Sequence, residues 1–86
     1  MYNLVKRYME NLSVDQVNDF AQKNNVFLSK SELNFTYTFV KKNWEMIFRN
    51  HNLLRLERYK EQFSEENFQK IQKLLIMYYQ KYGHLL

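Results

Sequence analysis

The sequence predicts an all-α protein, a compact bundle of four to five helices, and three observations predict it. Proline is absent and the single glycine is Gly83, so nearly the whole chain lacks the residues that most strongly interrupt helices. Apolar residues recur at three- and four-residue spacing in successive segments, the period of a helix with one buried face. Serines stand three residues ahead of a glutamine or glutamate at two segment starts, a pattern that satisfies the exposed backbone donors of a helix N-terminus.

Leu4, Val5, Tyr8, Met9 and Leu12 draw the first apolar stripe, on a helix of about two turns. Ser13 and Gln16 then form a capping box for a second helix, whose buried face is Val14, Val17, Phe20 and Ala21. Asn24-Asn25 should end it, because asparagine tolerates the left-handed backbone that helix termini use. Val26, Phe27 and Leu28 make a short apolar connector, and Ser29 with Glu32 is a second capping box. The third helix is the long one, with Leu33, Tyr37, Val40, Trp44, Ile47 and Phe48 along its seam and Phe35, Phe39 and Met46 widening it.

Asn50-His51-Asn52 is the most turn-like tripeptide in mid-chain, since asparagine side chains bond locally to the backbone and compete with helix. Leu53, Leu54, Leu56, Tyr59 and Phe63 support a short fourth helix. Ser64 caps a fifth, with Glu65 and Glu66 opposing the positive end of its dipole. Phe68, Ile71, Leu75, Tyr78 and Tyr82 repeat down that last helix, and Gly83 is placed to terminate it. The long and last helices are expected to pack together through Trp44, Phe68, Ile71 and Tyr78.

At 86 residues the chain fits one small helical domain, residues 1–86, that buries about 60–65% of its unfolded surface. Seven phenylalanines, seven tyrosines and one tryptophan let so short a chain build a core from few large side chains. Cysteine is absent, which removes disulfides and thiolate metal sites and favours a reducing compartment. Lys6, Arg7 and Glu10 break up the apolar residues at the start, unlike the core of a signal peptide. No run approaches the roughly 18 apolar residues of a membrane span. The expectation is a cytoplasmic protein with no membrane association.

The net charge of +4 arises in one stretch, Lys41 to Lys60: six basic residues face Glu45 and Glu57 there, while the flanking segments balance. Arg55 and Arg58 are three apart, and Arg49 precedes the predicted break by one residue. Lys41, Lys42, Arg49, Arg55 and Arg58 are thus the candidate contacts for an anionic partner such as nucleic acid, against the plainer reading that they are the solvated side of two helices.

Other chemistry finds little footing. His51 and His84 lack neighbours at metal-ligand spacing, so no metal is expected. Ser13, Ser29 and Ser64 are explained as caps, and with one glycine no phosphate-binding loop can form, so neither an enzyme nor a cofactor is expected. The capped helices around Val26 to Ser29 have the outline of a helix-turn-helix. Only Asn34 could read a base edge there, and no arginine stands near the start of the second helix. Phe27, Phe35, Phe39 and Tyr79 fall off the apolar stripes or sit ambiguously, and form the candidate surface for a protein partner or a second copy of the chain.

The run Leu12-Ser13-Val14-Asp15-Gln16, then Phe20-Ala21, Val26-Phe27-Leu28-Ser29-Lys30, Trp44 to Phe48 and Leu53 to Tyr59 resembles the YqfT-like family of short Firmicute proteins of unknown function. The resemblance spans most of the chain and is carried by hydrophobic positions and caps. It implies a small helical bacterial protein and brings no activity or site residue. Together these features favour a non-enzymatic protein-interaction module, possible self-association included, with a nucleic-acid accessory protein as the alternative.

Overall fold

The computed structural model describes residues 2–50 and 55–82, with the side chains of residues 78, 79, 81 and 82 outside that set. Among the described residues there are four α-helices and one 3-10 helix: α1 (Tyr2–Glu10), α2 (Val14–Lys23), α3 (Lys30–Arg49), η1 (Leu56–Gln62) and α4 (Glu65–Tyr82). The all-α bundle is as the sequence predicts. The turn at His51-Asn52, the start of the fourth helix at Leu53-Leu54, the terminator Gly83, His84 and Leu85-Leu86 lie outside the described residues, as do the side chains of Tyr78 and Tyr79.

Local chemistry sets the first three boundaries. Ser13 Oγ accepts from the Gln16 amide at 3.1 Å while Gln16 Oε1 accepts from the Ser13 amide at 2.8 Å, a complete capping box. Asn25 has φ 63, the left-handed conformation expected after α2. The turn there is a Schellman motif: Val26 N–H donates to Ala21 O at 2.8 Å and Asn25 N–H to Gln22 O at 3.0 Å. Its usual apolar contact is available, because Val26 is only 2% exposed and Ala21 is also buried.

α3 is the spine, packing against α1, α2 and η1. Tyr2 anchors α1 to its far end: the ring lies 5.9 Å from both Trp44 and Phe48, and its hydroxyl donates to Glu45 at 2.9 Å. A second aromatic group joins α3 to η1, with Phe39 and Tyr59 rings 4.7 Å apart and Phe35 5.7 Å from both Tyr59 and Phe63.

The short fourth helix stands where the sequence places it, and its described part is a 3-10 helix, closed by Phe63 N–H donating to Lys60 O. Such short runs are where the tighter turn is tolerated. Among the described residues the rings beside Trp44 are those of Tyr2 and Phe48, and the side chain of Tyr78, its expected neighbour on the last helix, lies outside them. η1 packs against both α3 and α4, and the direct bonds between α3 and α4 are made at their N-termini. Among the described residues, side chains from all five helices line a shared apolar space.

Candidate functional site: an apolar cleft and its latch

That space is an apolar cleft of about 490 Å³ reached by every element: Val5 and Tyr8 from α1, Val17 and Phe20 from α2, Phe39, Val40, Trp44 and Ile47 from α3, Leu56 and Tyr59 from η1, and Ile71, Leu74 and Leu75 from α4. Among the described residues of its wall, Gln16 and Thr36 are the non-aromatic polar side chains. A dry, closed void of this volume would cost about 12 kcal/mol at about 24 cal/mol per Å³, as much as the whole stability of a small domain. The cleft is instead open. Among the described residues of its lining only Leu12, Ala21 and Val26 are buried, the others being partly or well exposed.

The mouth of the cleft is apolar as well, with Tyr8 57% and Phe20 47% exposed. The fourteen-residue span of α3 from Phe35 to Phe48 that borders the cleft is about 20 Å long at 1.5 Å per residue, so the space is a trough along the spine.

The frame of this trough is held by Glu32, which is only 6% exposed. Its Oε1 accepts from the Ser29 amide at 2.7 Å, completing the α3 capping box, and from Asn67 Nδ2 at 2.9 Å. Its Oε2 accepts from the Ser64 amide at 2.7 Å, at the start of α4. One carboxylate thus serves the N-termini of two helices, where both dipoles favour negative charge. Burial pushes the Glu32 carboxyl up, but the Ser29 and Ser64 amides and the Asn67 side chain together hold it below the ordinary carboxylate value. Asn67 Nδ2 also donates to Phe27 O at 3.0 Å, and Lys70 Nζ to Asn25 O at 3.2 Å, tying the first turns of α4 to the α2–α3 connector.

Sequence reasoning placed Glu32 in its own capping box and missed this second role. A signal was present. Ser64 Oγ accepts from the Asn67 amide at 3.1 Å, but asparagine stands where a capping box has glutamate or glutamine. The Ser64 amide therefore needs an acceptor from elsewhere, and Glu32 provides it.

The five basic candidates do not act alike. Lys41 turns inward: its Nζ donates to Met9 O at 3.1 Å and Glu10 O at 2.8 Å, capping the C-terminus of α1. Arg49 pairs with Glu45 at 3.5 Å and lies 5.6 Å from the Tyr2 ring. Lys42, Arg55 and Arg58 are exposed. Among these, Arg55 and Arg58 are brought together, lining a second, more open cleft of about 420 Å³ with Leu56, Glu57 and Gln72.

The aromatic candidates also divide. Phe27 is 62% exposed. Phe35 and Phe39 are half-buried, face the trough and stack on each other at 5.9 Å. They fall off the narrow seam because the apolar face of α3 is wide enough to meet η1 as well as α1 and α2.

Among the described residues no three His, Cys, Asp or Glu gather as a metal site, and no helix is long and apolar enough to cross a membrane. Compared with protein-family models, with curated proteins and with solved structures, the chain matches none, and the reading of its function rests on the trough itself.

Proposed function

We propose that the protein is a non-enzymatic interaction module whose central trough receives the apolar ridge of an amphipathic helix from a partner protein. The observation that carries this reading is an apolar trough about 20 Å long whose mouth, at Tyr8 and Phe20, is itself exposed and apolar. A compact hydrophobic ligand would be served by a pocket with a polar rim. Apolar surface continuing from floor to mouth suits an occupant that fills the trough and covers its edges, and helix-in-groove recognition does this with side chains at i, i+3, i+4 and i+7.

The nucleic-acid alternative has less support. Lys41 is engaged with the end of α1 and Arg49 with Glu45, which leaves no continuous basic row to follow a phosphate backbone.

The test compares two labelled peptides of one composition, one with leucines at i, i+3, i+4 and i+7 and one scrambled, titrated with the protein by fluorescence anisotropy. The ridge peptide should bind and the scrambled one should not, and Val40→Trp, which fills the trough, should abolish binding. Equal binding of both peptides would sink the reading.

A further inference from the structure

We infer that the partner is a second copy of this chain, its α1 laid across the mouth of the trough against α2, with the same contact made in return. This rests on the helix-in-trough reading and names the helix that the trough receives.

The mouth lies between the two helices of one hairpin. α1 and α2 are joined by residues 11–13 and each packs on α3, but among the described residues no direct packing joins α1 to α2. Tyr8 lines the trough from α1 and Phe20 from α2, 57% and 47% exposed. Leu4, one turn before Tyr8 on the same face of α1, is 68% exposed. A face that offers both an apolar ridge and an apolar gap can pair with itself about a two-fold axis. An axis running along the gap sets α1 of each copy over α2 of the other, whereas an axis across the gap would set α1 on α1.

Charge selects the first arrangement and a second copy as the occupant. α1 carries Lys6 and Arg7 against Glu10, and α2 carries Asp15 and Asp19 against Lys23, all of them exposed. The two helices are therefore opposite in sign. Residues three apart are neighbours on a helix, which puts Arg7 beside Leu4 at one edge of the mouth and Asp19 beside Gln16 at the other. Among the described residues neither Arg7 nor Asp19 makes a salt bridge. Lys23 stands in the last turn of α2, beyond Phe20. A foreign helix would need an acidic edge toward α1 and a basic edge toward α2. A second copy supplies both, because the symmetry that brings its Asp19 to Arg7 also brings its Arg7 to Asp19. Complementary charges at an exposed rim set which partner is chosen.

The experiment is sedimentation equilibrium of the full chain over a concentration series, with circular dichroism showing unchanged helix content in each variant. The native chain should form a dimer, and Arg7→Glu or Asp19→Arg alone should weaken it about tenfold, since each reversal strikes both symmetric pairs. Arg7→Glu/Asp19→Arg together should restore it, and Tyr8→Ser should abolish it. A monomer at every concentration would overturn the inference; binding of the leucine-ridge peptide to that monomer would leave the trough reading standing, and failure to bind would overturn the two together. A dimer that the single reversals leave unchanged, or that the double reversal weakens further, would overturn the inference by putting the contact between copies on another surface.

Discussion

The backbone amide of Ser64 donates to Glu32 Oε2 at 2.7 Å, and through this bond the start of α4 is capped by a carboxylate that belongs to α3. The same carboxylate closes the α3 capping box and holds Asn67. η1 packs against both α3 and α4, and this latch joins the N-terminal ends of the two helices that border the trough.

Replacing Glu32 tests the latch. In Glu32→Gln one oxygen becomes an NH2 group, so one of the three converging donors faces another donor. The cost should be about 1–3 kcal/mol, read as a lower urea midpoint with an unchanged slope. Glu32→Ala, which leaves all three donors without this acceptor, should cost more.

The latch also carries a pH signature. Glu32 has a folded pKa below its ordinary value of 4.5, so its contribution is fully present above that value and is lost as pH falls through the lower, folded one. The stability gap between the native chain and Glu32→Gln should therefore be constant near neutral pH and narrow in acid. A gap independent of pH would mean that the carboxylate charge does not hold the helix ends.

Lys41 should behave as a structural residue. Its bonds to Met9 O and Glu10 O end α1, and Lys41→Met should lower stability by about 1 kcal/mol and speed amide exchange in residues 2–10. Lys42→Met, at an exposed position, should change stability by less than about 0.5 kcal/mol.

Asn25 has φ 63, where a Cβ is disfavoured and asparagine is among the better-tolerated residues. Asn25→Gly should leave stability unchanged or slightly raised, while Asn25→Val should cost at least about 1 kcal/mol, both measurable by thermal unfolding.

The sequence could disclose what is local. The Ser13-Gln16 and Ser29-Glu32 boxes and the left-handed Asn25 are set within a few residues, and each stands where spacing and residue type place it. Other features depend on what comes to meet a side chain. Periodicity shows that Val40, Trp44 and Ile47 share an apolar face, but it cannot show that they border a space shared with Ile71, Leu74 and Leu75. For η1, seven residues after a break in helical phase hold too few turns to separate a period of 3.0 from one of 3.6. Lys41 counts toward a basic stretch in the sequence, yet the end of α1, thirty-one residues earlier, decides its role.

The proposed open trough along α3 is tested most directly by the urea unfolding free energy of Val40→Trp. A tightly packed core would reject the larger side chain at a cost of about 1–3 kcal/mol or more. With about 490 Å³ of apolar space beside Val40, we predict a variant as stable as the native chain or more so. A loss within that overpacking range would show that the space is already filled and would contradict the account.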